Sequence, residues 1–284
     1  MTRKTLEDYQ LKNKRILIRV DLNVPLDNGT ISDTSRIERL VPTIRKIIQD
    51  GGKPILMSHF GRPKGSRNET LSLKNLLPTL QKFLGVPVKF SKTITGPEVL
   101  EKVEKLANRE VLLLENTRFD PKEEANDLKF SRELSKLGDI FCNDAFSAAH
   151  RAHASTVGVA KFLPNCIGPL MSEELNALRI VLTEPKRPVV AVVGGAKVST
   201  KLDLLLNLIQ KVDHLVIGGG MANTFLYAKG YAIGNSLCER DLKDTAIKVL
   251  AEASKASCKI HIPHDAVTAS QFKANALSKV VNVG

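Results

Sequence analysis

Residues able to grip a charged ligand recur in this chain directly behind short apolar runs. Asp21 and Asn23 follow the first run in RVDLNVP (19–25), and His59 and Arg62 stand around Gly61 in SHFGRP (58–63). Arg118 lies in ENTRF (115–119), His150, Arg151 and His153 crowd NDAFSAAHRAHAS (143–155), and Arg36 starts the first helix-period segment. Four arginines and up to three histidines converging on one end of a sheet form a receptor for a small, multiply charged anion. A guanidinium matches carboxylate or phosphate as a two-pronged donor, and each such contact is charge-assisted. Taken singly, each arginine reads as a solvated surface residue and each histidine as a hydrogen-bonder within its loop. Recurrence behind successive runs is what favours a site, because ligands of open sheets bind beyond the carboxyl ends of strands.

The second half carries a different device. VVGGAKVSTKLDLLLNLI (192–209) is an apolar run, two glycines and a helix. Glycine lets phosphate approach the backbone, and free amides at a helix start attract anions. Lys197 and Lys201, four apart, are expected on one side of the first helical turn. The segment matches neither GxxxxGK[ST] nor GxGxxG, so alone it reads equally well as a tight strand-to-helix turn with exposed lysines. IGGGMANTF (217–225) repeats the device behind the next run. Two glycine-rich turns on neighbouring strands favour a nucleotide site.

The elements that must position these residues are legible as Val, Ile and Leu runs alternating with amphipathic stretches, the pattern of parallel sheets wrapped by helices. Strands are expected over 15–21, 54–59, 87–90, 111–116, 140–145, 189–195, 214–219, 259–263 and 279–283, buried on both faces. Helices are expected over 73–84, 97–106, 127–137, 172–182, 200–212, 221–229 and 242–256. An earlier one carries Ile37, Leu40, Val41, Ile44, Ile47 and Ile48 on one face, after Asp33 and Thr34 and before Gly51-Gly52. Pro78 is expected to kink the 73–84 helix. Pro185 and Pro188 mark the lead into a new sheet. Two open sheets are preferred to a single eight-stranded barrel because the connections are uneven.

Length and composition agree. The 284 residues, 43% hydrophobic and 25% charged, correspond to about two ordinary globular domains. No apolar run approaches a membrane span, and the first fifteen residues lack the apolar core of a secretory signal, so the expected setting is cytoplasmic. Cys142, Cys166, Cys238 and Cys258 form no CxxC pair and read as reduced small hydrophobes. The net charge of +12 leans to the first part: residues 1–170 hold 28 basic and 20 acidic groups. These are interspersed, and with no tryptophan and 5% aromatics the chain is poorly supplied for stacking on nucleic acid.

In order along the chain, RVDLNVP, SHFGRP, LLENTRF, NDAFSAAHRAHAS, GGAKVSTK and IGGGMANTF resemble the successive motifs of the phosphoglycerate kinase family. That resemblance implies two doubly wound parallel-sheet (Rossmann-like) α/β domains. The first, 1–171, binds the triose; an interdomain helix and linker span 172–188; a nucleotide-binding domain, 189–284, is expected to be incomplete. It implies phosphoryl transfer between 1,3-bisphosphoglycerate and ADP, giving 3-phosphoglycerate and ATP with Mg2+, in a monomer that needs neither nucleic acid nor membrane. A shortened module that only binds the triose phosphate is the alternative. The implied triose site is Asp21, Leu22, Asn23, Arg36, His59, Phe60, Gly61, Arg62, Arg118 and Arg151. Gly195, Ala196, Lys201, Gly218, Gly219 and Gly220 are implied for the nucleotide, and Arg36 and Lys197 for steadying the phosphoryl group in flight. No metal ligand is expected within the chain. The resemblance places the family's GGGDT-like turn, with its magnesium-nucleotide aspartate, and a C-terminal tail beyond Gly284. His264 departs from the family's usual aliphatic residue, and it and His261 are expected to be structural.

Overall fold

Neighbouring residues of the first strand face opposite layers: Ile16 and Ile18 belong to one hydrophobic cluster and Leu17 to another. This is the period-two alternation of an extended segment buried on both sides. The computed structural model describes residues 3–27, 29–183, 185–271 and 273–283, and the chain divides into two compact units, Met1–Ala177 and Leu178–Gly284.

The first unit begins with β1 (Arg15–Arg19), a short hairpin of β2 (Leu26–Asp27) and β3 (Thr30–Ile31), α1 (Ser35–Gln49), β4 (Lys53–Met57) and α2 (Leu77–Leu84). It continues with β5 (Val88–Ser91), α3 (Pro97–Glu104), β6 (Val111–Leu114), α4 (Pro121–Glu124), α5 (Leu128–Ser135), β7 (Ile140–Asn143), α6 (Phe146–Ala149) and β8 (Asn165–Ile167). Helix α7 (Pro169–Thr183) leads out of it.

Six parallel strands are ordered β5-β6-β4-β1-β7-β8. From β1 the chain steps to β4 and β5 in one direction, then returns through β6 to β7 and β8. Right-handed crossovers therefore place α1 and α2 on one face and α3 and α5 on the other. The cores agree: Ile37, Ile44 and Leu80 pack in the first cluster, Val99, Val103, Phe130 and Leu134 in the second.

Local chemistry sets the element ends. Asp33 accepts the Ser35 N–H at 2.8 Å before α1, and Gly51, at φ +76°, closes it. Asp127 caps α5 by accepting the Phe130 N–H at 2.8 Å. Pro78 does not kink a long helix: a 3-10 turn, Leu73–Leu76, comes first, and Pro78 sits in the first turn of α2, where its missing N–H costs nothing. Except for β5, which ends one residue later than expected, the strands end one or two residues early, which leaves the polar residues behind them in loops.

In the second unit, β9 (Val190–Gly194), α8 (Leu202–Ile209), β10 (His214–Gly218), α9 (Gly220–Ala228), α10 (Lys243–Lys255) and β11 (Lys259–His261) build a parallel sheet ordered β11-β10-β9. The strands advance in one direction only, so the crossovers put every helix on one face, where Val193, Leu215 and Ile217 meet Leu205, Phe225 and Val249. This is half of a doubly wound layer. The expected burial on both faces does not hold here: Val190 is 55% and Val192 74% exposed. Nor does the last run extend the parallel sheet; β12 (Asp265–Ala269) and β13 (Ser278–Asn282) pair antiparallel as a separate hairpin. Three of the four cysteines are buried and all four are free. Among the described residues no helix is long and apolar enough to cross a membrane.

Where β7, β8 and α7 meet, the buried Asp144 accepts from Thr43 Oγ1 at 2.5 Å and from the Met171 N–H at 2.9 Å. A Cβ on Gly168 would lie 2.3 Å from the Asp144 carboxyl group. Gly168→Ala is therefore expected to destabilise the first unit by about 1–3 kcal/mol, read as a lowered urea midpoint at unchanged m-value.

Candidate active site

Two crevices open at the carboxyl ends of the six-stranded sheet, between β6 and β4 and between β1 and β7, because the connections leaving those neighbours run to opposite faces. The loops bordering them bear Arg118, His59, Asp21 with Asn23, and Arg151. Strand order thus gathers four segments that are far apart in sequence.

The loop after β4 is built from the inside. Ser58 Oγ accepts the Leu22 N–H at 3.0 Å, Asn23 Oδ1 accepts the Gly61 N–H at 2.8 Å, and Asn116 Nδ2 donates to the Phe60 carbonyl at 2.7 Å. Gly61 has φ +61°, and a Cβ there would lie 2.7 Å from Leu71 Cδ2, so the turn requires glycine. The Leu22 and Phe60 side chains belong to the hydrophobic cluster, leaving these residues their backbone to offer a ligand.

Arg36 is ion-paired with Asp21, which also accepts from Ser147 Oγ at 2.6 Å and from the Asn23 N–H at 2.9 Å. Burial acts to raise the Asp21 pKa, but these hydrogen bonds and the Arg36 charge hold it below the ordinary carboxylate value. Arg118 is 7% exposed and donates Nη1 to the Gly61 carbonyl at 3.1 Å. Its Nε lies 3.0 Å from Glu124 Oε1 yet makes no hydrogen bond, the approach being out of line. Burial lowers the Arg118 pKa, and the nearby Arg151 and Arg62 charges add to this against Glu124 and Glu123. Arg62 is exposed and Arg151 partly so, and among the described residues neither has a carboxylate partner within ion-pair distance. His150 is exposed. His153 has Nδ1 3.9 Å from the buried Glu123, and its backbone N–H and carbonyl bond Thr156 Oγ1 within the same loop.

The central member carries no mark in the sequence. Arg19, the last residue of β1, is 1% exposed and places Nη2 3.0 Å from His59 Nδ1. Its position inside an apolar strand looks like a snorkelling surface residue, and no local signal marks it as buried. Glu123 and Ser155, which support it, were equally invisible as ligand-site residues.

In the second unit the two glycine turns touch each other. The Met221 N–H donates to the Gly195 carbonyl at 2.8 Å. A Cβ on Gly219, at φ +68°, would sit 2.9 Å from that carbonyl oxygen, and one on Gly220 would sit 3.1 Å from the Ala196 carbonyl oxygen. Gly218 is the last residue of β10. The expected pairing of Lys197 and Lys201 on a helical turn is not formed. Helix α8 starts only at Leu202, with Lys201 at its N-cap. Glu239 holds the intervening loop through the Ser199 N–H at 3.1 Å and hydroxyl at 2.5 Å. Lys201 instead lies along Gly195, its Cε 3.3 Å from where a Cβ would be, while Lys197 is exposed. His261 Nε2 faces His214 Nδ1 at 3.1 Å across the sheet, and His264 is exposed near Asp265.

Burial, reinforced by the Arg19, Arg118 and Arg151 charges, lowers the His59 pKa from 6.5 to about 3. The folded chain therefore keeps His59 neutral while the unfolded chain takes up a proton as the pH drops below 6.5, so stability is present above 6.5 and is lost as the pH falls towards 3. Between pH 7.5 and pH 5 this one group is expected to remove on the order of 2 kcal/mol. Urea unfolding at both pH values should show a smaller loss for His59→Gln by that amount.

A family model described as phosphoglycerate kinase matches residues 6–284. A phosphoglycerate kinase of Cereibacter sphaeroides is 56% identical over 279 residues, 98% of this chain and 70% of that protein. That of Ruegeria pomeroyi is 55% identical over 278 residues, with the same coverage of each. The solved phosphoglycerate kinase of Coxiella burnetii superposes with a TM-score of 0.79 at 40% identity, covering 99% of this chain and 71% of that one. The Pyrococcus horikoshii enzyme gives 0.82 at 30% identity with the same coverage. With the motifs at successive strand ends, the crevices they border and these matches over nearly its whole length, the chain belongs to the phosphoglycerate kinase family.

Proposed function

We propose that this chain transfers a phosphoryl group between 1,3-bisphosphoglycerate and ADP, giving 3-phosphoglycerate and ATP. The observation that carries the proposal is the set of arginines around the two crevices. Arg62 and Arg151 lack carboxylate partners among the described residues, beside a largely buried Arg118. Like charges gathered this closely repel one another, and a bound anion converts that cost into affinity. A triose bearing a carboxylate and a phosphate suits the number of guanidiniums. Asp21, Asn23 and the backbone of 59–61 supply polar groups for its hydroxyl and for orientation.

In this reading the Gly195 and Gly218–Gly220 turns, with Ala196 and Lys201, hold the nucleotide phosphates. Exposed amides and a nearby ammonium favour anions there. Phosphoryl transfer passes through a loose transition state with charge spread over the equatorial oxygens, so positioned cations do most of the work. Arg36 and Lys197 are assigned that task. Arg36 starts from its ion pair with Asp21, so engaging the phosphoryl group means exchanging one oxyanion for another. Among the described residues no three His, Cys, Asp or Glu side chains converge to hold a metal. Because the triose and nucleotide groups belong to different units, we assign the 172–188 segment to a hinge whose closure joins them and sheds water. A monomer acting in the cytoplasm is the setting this reading implies.

Calorimetric titration with 3-phosphoglycerate tests it. One molecule should bind per chain, weakening with added salt, and Arg118→Lys should bind about 10–100-fold less tightly because the planar fork is lost. No measurable binding by the unaltered chain would refute the proposal. In a coupled ATP assay Lys197→Ala is expected to reduce turnover by about 10²–10³ with 3-phosphoglycerate affinity nearly unchanged.

A further inference from the structure

Beneath the arginine loops runs a chain of four buried side chains: Glu123, Ser155, Arg19 and His59. The chemistry of its members fixes its direction. Glu123 accepts at both oxygens from Ser155, the backbone N–H at 2.9 Å and the hydroxyl at 2.5 Å. The single hydroxyl proton is thereby committed, so Ser155 Oγ meets Arg19 Nε, 2.9 Å away, as an acceptor. Arg19 donates Nη1 to the Val20 carbonyl at 2.6 Å and aims Nη2 at His59 Nδ1, 3.0 Å away. A guanidinium has donors and no acceptor, so Nδ1 must present a lone pair. The one proton of the neutral imidazole then sits on Nε2, for which the described residues supply no hydrogen-bond partner.

We infer that Glu123 and Ser155 are positioning residues: acting through Arg19, they hold His59 in the tautomer that carries its proton on Nε2, the nitrogen left free for a ligand. The consequence for binding is directional. Carboxylate and phosphate oxygens only accept, so an Nε2–H donates to them, whereas the other tautomer would set a lone pair against the anion. Burial and the surrounding Arg118 and Arg151 charges keep the ring from gaining a second proton in the neutral range, its pKa being pushed down to about 3. Ser155 determines the aim of Arg19 and Glu123 determines the orientation of Ser155, so two residues that touch no ligand select the proton state of one that does. The binding consequence rests on the triose reading above; the tautomer does not, and can be measured without ligand.

Proton–nitrogen correlation spectra of the imidazoles in the unliganded full chain test the inference. His59 is expected with a protonated Nε2 and a bare Nδ1 at neutral pH, and a proton found on Nδ1 overturns it with no variant needed. Ser155→Ala, which removes the acceptor that aims Arg19, should show mixed His59 tautomers and about tenfold weaker 3-phosphoglycerate binding, the weight of one charge-assisted hydrogen bond. Ser155→Thr, which keeps the hydroxyl, should restore both. Glu123→Gln provides a second route if Ser155→Ala does not fold. Unaltered tautomer and affinity in a folded Ser155→Ala or Glu123→Gln chain overturns the positioning role. Should the unaltered chain bind no 3-phosphoglycerate, the triose reading fails and the tautomer measurement alone decides the inference.

Discussion

A guanidinium taken almost completely out of water sets the terms for the first unit. Removing a charge from solvent costs several kcal/mol unless hydrogen bonds and an opposite charge offset it, and Arg19 has both: three bonded partners and the buried Glu123 beyond Ser155. Each partner comes from a different part of the chain. Val20 follows β1, His59 follows β4, Ser155 lies after β7, and Glu123 is in α4. Satisfying this one cation therefore ties together the loops that border both crevices. Removing any one partner leaves a buried polar group exposed to the full cost of desolvation.

The other arginines of the proposed anion site are arranged around that fixed centre with progressively less burial. Arg118 is largely buried and anchored on the Gly61 carbonyl, Arg36 is half-exposed and held by Asp21, and Arg62 and Arg151 lack carboxylate partners among the described residues. The gradient has a physical logic. The innermost cation, Arg19, is satisfied by the protein, Arg118 keeps a buried Nε without a hydrogen bond, and the outer arginines are the ones the proposed function assigns to a ligand. For the second unit the proposed function calls on other means. Its glycine turns press backbone against backbone, so the proposed nucleotide site relies on amides together with the Lys201 ammonium, and Glu239 pins the loop that carries Lys197.

Much of this was legible from residue order. Eight of the nine expected runs became parallel strands, and the helices came out close to their expected spans, because period-two and period-3.6 apolar patterns are imposed by burial itself. Arg62, Arg118 and Arg151 could be picked out because they follow strands, and a strand end is a sequence-visible place. Other expectations failed for specific reasons. Lys197 and Lys201 were placed on one helical turn by their spacing, yet Ser199 is held in a loop by Glu239, forty residues away. The run ending near Val283 looked like another parallel strand, but its partner proved to be Asp265–Ala269, and no local pattern distinguishes the two pairings.

Sequence alone therefore determined the layer architecture, the strand ends that bear cations and the two glycine turns, since each follows from local periodicity or from one residue's backbone freedom. Only the tertiary structure decided which of the cations is buried, which are left without a carboxylate partner among the described residues, and which nitrogen of His59 carries its proton. Those properties depend on distances between segments as far apart as β1 and the residues after β7. The electrostatics of a buried group are set by what surrounds it in space, and Arg19, unremarkable between Ile18 and Val20, acquires its role only when Ser155 and His59 close around it.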